Sequence, residues 1–324
     1  MIVFGVAGDR GDVAMVGYGA ARYALASGNC NEAEKLWPLI EWCLEYCHRQ
    51  LNADGVVKSD SDELENRFPA GKANLCTSSL YYDALVSAAY LGKALKKEHK
   101  QIKSYQDRAA ELYKNIDAYF ARNVEGYDTY RYYDGNTVLC SWICIPLTMG
   151  IYDQAKGTVE ALFSDKLWME NGLLTQSGTS TYWDRSTLYA FRGAYSCGAR
   201  DIATEYLDKY SATRLLGDHV PYAVEAWPEG NQRHLSTESA LYCRIMTEGL
   251  FGIRPIALDA FMMTPQLPES WNTMSLKRIC AFGSIFDIEV KRDKDDKLLV
   301  LIKKDHKIVK RSKITNGKPI EVRI

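Results

Sequence analysis

The chain has 324 residues, of which 47% are hydrophobic, enough for one large domain or two ordinary ones with a real core. Its 40 basic and 41 acidic residues leave a formal net charge of -1, so no global field draws it to nucleic acid or to an anionic membrane. No signal peptide and no run of 18 apolar residues is present. We therefore expect no membrane partner; the location stays open, cytoplasmic or periplasmic if the N-terminus is truncated.

The start, MIVFGVAGDRGDVAMVGYG, enters a helical pattern almost at once, as though the chain began in mid-domain. After Gly11, the residues Val13, Val16, Ala20, Tyr23 and Leu25 recur at helical spacing up to the Gly28-Asn29 stop. Asn31 is expected to cap a second helix, with Leu36, Ile40, Cys43, Leu44, Cys47 and Leu51 on one face and an end at Asp54-Gly55. Pro38 removes a backbone donor from it and is expected to bend its early turns.

Next comes SDSDELENRFPAGKANLCTSS, in which Asp60, Asp62, Glu63 and Glu65 crowd together just after Asp54 and before Arg67. A solvated loop or a set of helix-capping carboxylates reads the same way from composition alone. Leu80, Ala84, Leu85, Ala88, Leu91 and Leu95 then form a long helix closed by Lys96, Lys97 and Lys100, cations suited to a helix C-terminus. Ala109, Leu112, Ile116 and Tyr119 carry its hairpin partner, about 102–120.

An aromatic loop, YDTYRYYDGN, leads to an apolar helix through Trp142, Ile145 and Leu147, then a shorter one at about 158–168. A polar loop holding Trp183 and Asp184 precedes helices at about 187–197 and 199–216. The loop 217–234 has functional character, with Glu225 and Glu229 flanking Trp227, and with Arg233 and His234 at its end. The last helix is expected at about 235–251, which makes eight or nine helices with almost no strand signal before residue 254.

From Arg254 the period changes. Two prolines interrupt FMMTPQLPESW, and short β-favouring runs follow at 285–290, 298–302, 307–314 and 319–324. The chain thus divides into a helical region, 1–253, and a β-region, 254–324. The nine cysteines lack ligand partners at zinc spacing and read as reduced core residues; neither a metal nor a cofactor is implied.

Consecutive helical hairpins with acidic and aromatic connections, ending in TEGLFGIRPIALDAFMMTPQLPESWNTMSLKRICAFGSIFDIEV, resemble the six-hairpin (α/α)6-barrel glycosidases and phosphorylases. The ending looks like the last barrel helix, the turn, the Pro-x-x-Pro with its Trp, and the first strands of the C-terminal β-domain in cellobiose-phosphorylase-like and α-rhamnosidase-like enzymes. The resemblance implies a mainly α fold, an incomplete (α/α)6 toroid followed by a small antiparallel β-domain. The full toroid has twelve helices, so it also implies that an N-terminal part of the same enzyme is missing and would be a partner of this chain.

By the same resemblance, the acidic stretch is similar to the segment carrying the general acid in maltose-phosphorylase-like enzymes. Asp62 and Glu63 fall on an Asp-Glu pair, making Glu63 the acid candidate with Asp62 and Glu65 as alternates. Cellobiose-phosphorylase-like enzymes hold an Asp-Trp-Asn-Asp motif there, and this stretch has no tryptophan. Asp9, Arg10 and Asp12 in GDRGD resemble a substrate-binding loop of α-rhamnosidase-like enzymes, although Asp12 also suits a helix cap.

Glycosidic cleavage requires one carboxylic acid to protonate the leaving oxygen and a second carboxylate opposite it. Like-charged neighbours and burial keep the first protonated, and Glu63 has such neighbours. Inverting members of this barrel class place the base in the loop before the final helix, which points to Glu225 or Glu229. Aromatic rings stack on sugar faces, so Trp183 and Trp227, with Tyr130, Tyr132 and Tyr133, are candidate platforms for an oligosaccharide substrate, and Arg67, Asp184, Arg233 and His234 are candidate polar contacts. The expected activity is inverting glycoside hydrolysis. A phosphorylase with Arg233, His234, Ser236 and Thr237 around phosphate, and a non-catalytic carbohydrate-binding remnant, are the alternatives.

Overall fold

A computed structural model of the chain describes residues 11–59, 69–215, 226–227 and 236–324. Along the chain run α1 (Asp12–Ser27), α2 (Cys30–Arg49), α3 (Leu75–Ala94), α4 (His99–Phe120), β1 (Ala121–Val124), β2 (Tyr127–Tyr130), a 3-10 turn (Ser141–Cys144), α5 (Ile145–Met149) and α6 (Ala155–Leu162). Three two-residue strands follow, β3 (Trp168–Met169), β4 (Gly172–Leu173) and β5 (Tyr182–Trp183). Then come α7 (Asp184–Ser196), α8 (Arg200–Tyr210), a π-helical turn (Ser211–Leu215), β6 (Ala226–Trp227), α9 (Ser236–Arg244) and a second π-helical turn (Ile245–Leu250).

The odd-numbered helices form an inner row. Contacts run from α1 to α3, from α3 to α5, from α5 to α7 and from α7 to α9, while α2, α4 and α8 pack outside as hairpin partners. Burial separates α3, α5 and α7 from the outer helices. Of the 20 residues of α3, 15 are buried, including Ser78, Ser79, Asp83 and Ser87. By contrast α4 buries one stripe, Ile102, Tyr105, Ala109, Leu112, Ile116 and Phe120, as a helix with one wet face must. This is a row of α-hairpins in which α3, α5 and α7 are wrapped by protein, while α1 buries one stripe.

Several local expectations need correction. The cap of α2 is Asn29, not Asn31: the Asn29 carboxamide oxygen accepts from the backbone of Asn31 (3.0 Å) and Glu32 (3.2 Å), satisfying two otherwise orphaned donors. Because α2 starts at Cys30, Pro38 sits well inside it and the helix continues through to Arg49. Strands do precede residue 254. Glu125 and Gly126 both take positive φ (50° and 97°), the geometry of a two-residue hairpin turn, and they fold β1 onto β2 in antiparallel register.

The hairpin also moves the aromatics. Tyr130 and Tyr132 are fully buried and Tyr133 is half-buried, so the first two are core residues and not an open platform. Five cysteines lie in the core as expected, at 43, 47, 76, 140 and 144, but Cys30, Cys243 and Cys280 are exposed because each faces outward from its element.

The C-terminal region holds β7 (Ile253–Ala257), β8 (Ala260–Met263), β9 (Thr273–Ala281), β10 (Ser284–Arg292), β11 (Lys297–Lys304), β12 (Lys307–Thr315) and β13 (Ile320–Arg323). They make a four-stranded antiparallel sheet, β12-β11-β10-β9, and a three-stranded one, β13-β8-β7. Strict alternation puts Phe286, Ile288 and Val290 of β10 and Leu298, Val300 and Ile302 of β11 on the buried face. Phe261 of β8 stacks on Phe282 (5.0 Å) and Phe286 (5.6 Å), joining the two sheets.

The β-region is fastened to the end of α1. Phe282 and Gly283 form the β9–β10 turn, and their amides donate to the carbonyls of Ala26 (2.6 Å) and Ser27 (3.2 Å). Gly28, at φ 69°, closes α1 there, and a Cβ on it would lie 2.1 Å from the Gly283 nitrogen. Only a glycine permits that approach.

Candidate active site

The segments that lead into the inner helices meet at one end of the row. Gly11, before α1, lies so close to the start of α3 that a Cβ on it would be 2.6 Å from Thr77 Oγ1. Asn74 caps α3 through the Thr77 amide (2.8 Å), and Leu75 N donates to Tyr132 O (2.9 Å), which ties in the chain before α5. Ser141 N donates to Thr175 O (3.0 Å) and Cys140 bridges Gln176, adding the chain before α7. Strand β5 pairs with β6, Tyr182 opposite Trp227 and Trp183 opposite Ala226, which brings in the chain before α9.

The starts of α1 and α3 and the chain leading into α5 and α7 therefore meet at one end of the row. The opposite end, where α1 closes on the Phe282-Gly283 turn, is covered by the β-region.

The structure places the sequence candidates unevenly. Asp9, Arg10, Asp62, Glu63, Glu65, Arg67, Glu225, Glu229, Arg233 and His234 lie outside the described residues. Asp12 is the exposed first residue of α1, and the helix is capped by Gly11 without a side-chain bond. Trp227 is placed by its backbone in β6.

Trp183 and Asp184 sit at the start of α7, and both are packed. Trp183 is 1% exposed, its ring stacked on Trp142 at 5.2 Å and 17°, with the Arg185 guanidinium 5.7 Å from its centroid. Trp142 covers one face of the ring. Asp184, also buried, accepts from Arg214 Nη2 at 3.1 and 3.3 Å. Burial raises the Tyr210 hydroxyl well above its ordinary range, and the Asp184 charge adds to that. This pair binds the start of α7 to the turn that ends at Leu215, just before the 217–234 loop.

Sequence reasoning missed a second charged cluster, at the other end of the row. Asp83 is fully buried in α3, where it accepts from Arg22 of α1 (2.9 and 3.0 Å) and from Arg254 of β7 (2.6 Å). Glu248 accepts from Arg22 (2.8 Å) and Arg244 (2.5 and 3.0 Å). The available signal was a charge at a core position of an apolar helix, as in YYDALV and AFRGAY. No group of three His, Cys, Asp or Glu residues that would hold a metal occurs among the described residues.

Neither a protein-family model nor a curated protein matches the sequence. Solved structures do. One described as a sialidase superposes on 94% of this chain with a TM-score of 0.71 at 15% identity, the match covering 32% of that structure. A GH78 family rhamnosidase of Bacillus sp. GL1 matches 87% of the chain with a TM-score of 0.56 at 13% identity, over 29% of its own length. An α-L-rhamnosidase from Dictyoglumus thermophilum matches 92% with a TM-score of 0.52 at 13% identity, over 37% of its length. The chain thus has part of the six-hairpin helical-toroid fold of these structures with its small antiparallel β-domain, and it spans well under half of their length.

Proposed function

We propose that the chain is the helical-barrel and β-domain portion, 1–253 and 254–324, of a glycoside hydrolase whose site lies over the inner-helix starts. Glu63 serves as general acid and Glu225 or Glu229 as base, with inversion. The observation that carries this reading is the convergence of attachment points. The chain outside the described residues joins them at Gly11, at Ser59 and Pro69, and on either side of the 226–227 strand, and each of these belongs to the end where the helix starts meet. The five carboxylates named as catalytic candidates, Asp62, Glu63, Glu65, Glu225 and Glu229, belong to those connections.

Further helices of the same enzyme complete the barrel in this reading. Support comes from α1, which exposes Val16 and Tyr23, and from α2, which exposes Leu39 and Trp42, large apolar side chains of the kind that another hairpin covers. None of the described helices is long and apolar enough to cross a membrane.

The test is an activity screen of the longest in-frame chain containing these residues against aryl glycosides, with and without inorganic phosphate. Phosphate-independent release of an inverted sugar is the expected result. Release that requires phosphate makes the enzyme a phosphorylase instead, and binding of oligosaccharide without turnover makes it a binding module.

A further inference from the structure

Charge is divided unevenly along the chain. Residues 254–324 hold 15 Lys and Arg against 9 Asp and Glu, while residues 1–253 hold 25 against 32, so the net charge of -1 conceals a basic β-region beside an acidic helical one. Part of the excess gathers on one strand. In β12, Lys307, Lys310, Arg311 and Lys313 are all exposed, and only Lys313 has carboxylate partners among the described residues, Asp293 (2.6 Å) and Asp295 (3.2 Å).

This strand is a sheet edge. It pairs with β11 on one side and, among the described residues, with no strand on the other. Natural sheets keep such edges short or broken, because a row of free N–H and C=O groups templates another strand. The far edge of the same sheet, β9, is broken: Arg278 takes a left-handed φ of 56°, its amide is held by Asp287 Oδ1 at 2.7 Å, and the register with β10 shifts between Phe286 and Ile288. By contrast β12 has 9 residues, shifts once between its pairs with Ile302 and Lys303, and keeps an even register from Lys310 to Thr315. Asp305 and His306 (φ 49° and 61°) form the two-residue turn that fixes it to β11. Every residue from 307 to 311 is exposed, Ile308 at 52% and Val309 at 47%, so both faces of the strand are open there as well as its edge.

We propose that the β12 edge is a docking site for an extended acidic segment of another polypeptide, added antiparallel as a fifth strand of the sheet. In strand addition, backbone hydrogen bonds give affinity and side-chain pairs give selection. Lys310 lies opposite Ile302 and Arg311 opposite Leu301, so the two cations project to opposite faces. A pair of carboxylates at successive positions of the added strand meets one cation on each face, and Ile308 and Val309 favour two apolar residues after that pair. A second copy is a poor occupant, since pairing β12 with itself about Lys310 and Arg311 sets cation against cation. A polyanion reads the charges but leaves the backbone row and the two apolar side chains unused. The surface belongs to the β-region and does not depend on the glycosidase reading.

The probe is a capped peptide, acetyl-Thr-Val-Thr-Thr-Glu-Glu-Val-Ile-Thr-amide, beside the same peptide N-methylated at alternate residues, which keeps the charge and removes ladder donors. Binding to the full chain is measured by calorimetry, and hydrogen exchange follows the β12 amides that face away from β11. Saturable binding of the first peptide with protection of those amides is expected, and affinity at least about tenfold lower for the N-methylated one. The exposed double variant Lys310→Glu/Arg311→Glu should keep its melting curve and lose at least about tenfold in affinity, because two cross-strand pairs turn repulsive.

Should that variant not fold, the two peptides and the exchange pattern of the wild-type chain decide alone. Equal affinity for both peptides, or binding that leaves the β12 amides exchanging as before, makes the surface a polyanion site and overturns the proposal. Absence of saturable peptide binding overturns it too. So does protection of those amides in the longest in-frame chain without peptide, which means that the edge is covered by the protein's own chain or by a second copy.

Discussion

Asp83 Oδ1 lies 2.6 Å from Arg254 Nη2, a contact that joins the middle of α3 to the first strand of the β-region. The same carboxylate receives two bonds from Arg22, so one fully buried group fixes α1, α3 and β7 together. Replacing it leaves buried guanidinium groups without their counter-charge. Asp83→Asn should therefore destabilise the fold by about 3–5 kcal/mol in urea unfolding. Arg254→Met should cost distinctly less, because Arg22 still holds Asp83 from both sides. Equal losses for the two would mean that Arg254, not Arg22, supports the carboxylate.

Acid should undo this cluster. Burial raises the Asp83 carboxyl, but Arg22 and Arg254 more than offset it, so its pKa falls below the usual 3.8. Glu248 behaves alike: burial raises it, and Arg244, Arg192 and Arg22 bring it well below its usual 4.5. A folded-state pKa depressed below the unfolded value contributes stability that is fully present above the unfolded pKa and fades as pH falls through the folded one. Stability from these two groups should be flat above about pH 5 and decline from about pH 4 downward. Urea midpoints measured between pH 7 and pH 3 check this, and Asp83→Asn should show a shallower acid limb.

The Gly28–Gly283 approach gives a sharper prediction. Alanine at position 28 meets a left-handed backbone, about 1–2 kcal/mol unfavourable, and its Cβ would lie 2.1 Å from Gly283 N and 2.3 Å from the Phe282 carbonyl carbon. Main chain cannot step aside as a flexible side chain would. Gly28→Ala should detach the β9–β10 turn, exposing the amides of Phe282 and Gly283 to fast hydrogen exchange, while Gly126→Ala, with nothing within 4 Å of its Cβ, should show only the φ penalty.

Much of the architecture is legible in the residues because apolar spacing is a direct record of burial. Leu80, Ala84, Leu85, Ala88 and Leu91 mark α3, and the alternation in β10 and β11 marks the sheet. Asp83 and Arg192 were not legible as site residues, since one charge in a helical stretch reads as a wet face until partners from distant segments are known. Arg22 is 61 positions from Asp83, and Arg254 is 171 away. The β1–β2 hairpin was hidden by its aromatics, which suggested a binding loop, although Glu125-Gly126 carried the turn signal. For Trp183, an aromatic beside polar residues suits a sugar platform and a core stack equally from sequence, and its stack on Trp142 was not legible there.

Asp184 and Arg214 form the buried pair nearest the candidate site. Asp184→Asn should destabilise the chain by about 3–5 kcal/mol and Arg214→Gln by a similar amount, with the double variant losing much less than their sum. A strictly additive double-mutant cycle in urea unfolding would show that the 3.1 Å contact carries no coupling.

The catalytic assignment can be tried on the same footing, provided folding is followed beside turnover. Glu63→Gln keeps the size of the side chain and removes its titratable proton, so turnover of a substrate with a poor leaving group should fall by about 10²–10⁴. An aryl glycoside with a strongly acidic phenol needs little protonation, and its turnover should fall far less. Glu225→Gln should slow both substrates alike, since the water, not the leaving group, has lost its base. Azide should restore turnover in that variant and give a glycosyl azide of inverted configuration, read by NMR. If Glu229→Gln shows that behaviour and Glu225→Gln does not, the base is Glu229. If both keep wild-type turnover with unchanged melting curves, the 217–234 loop carries no base.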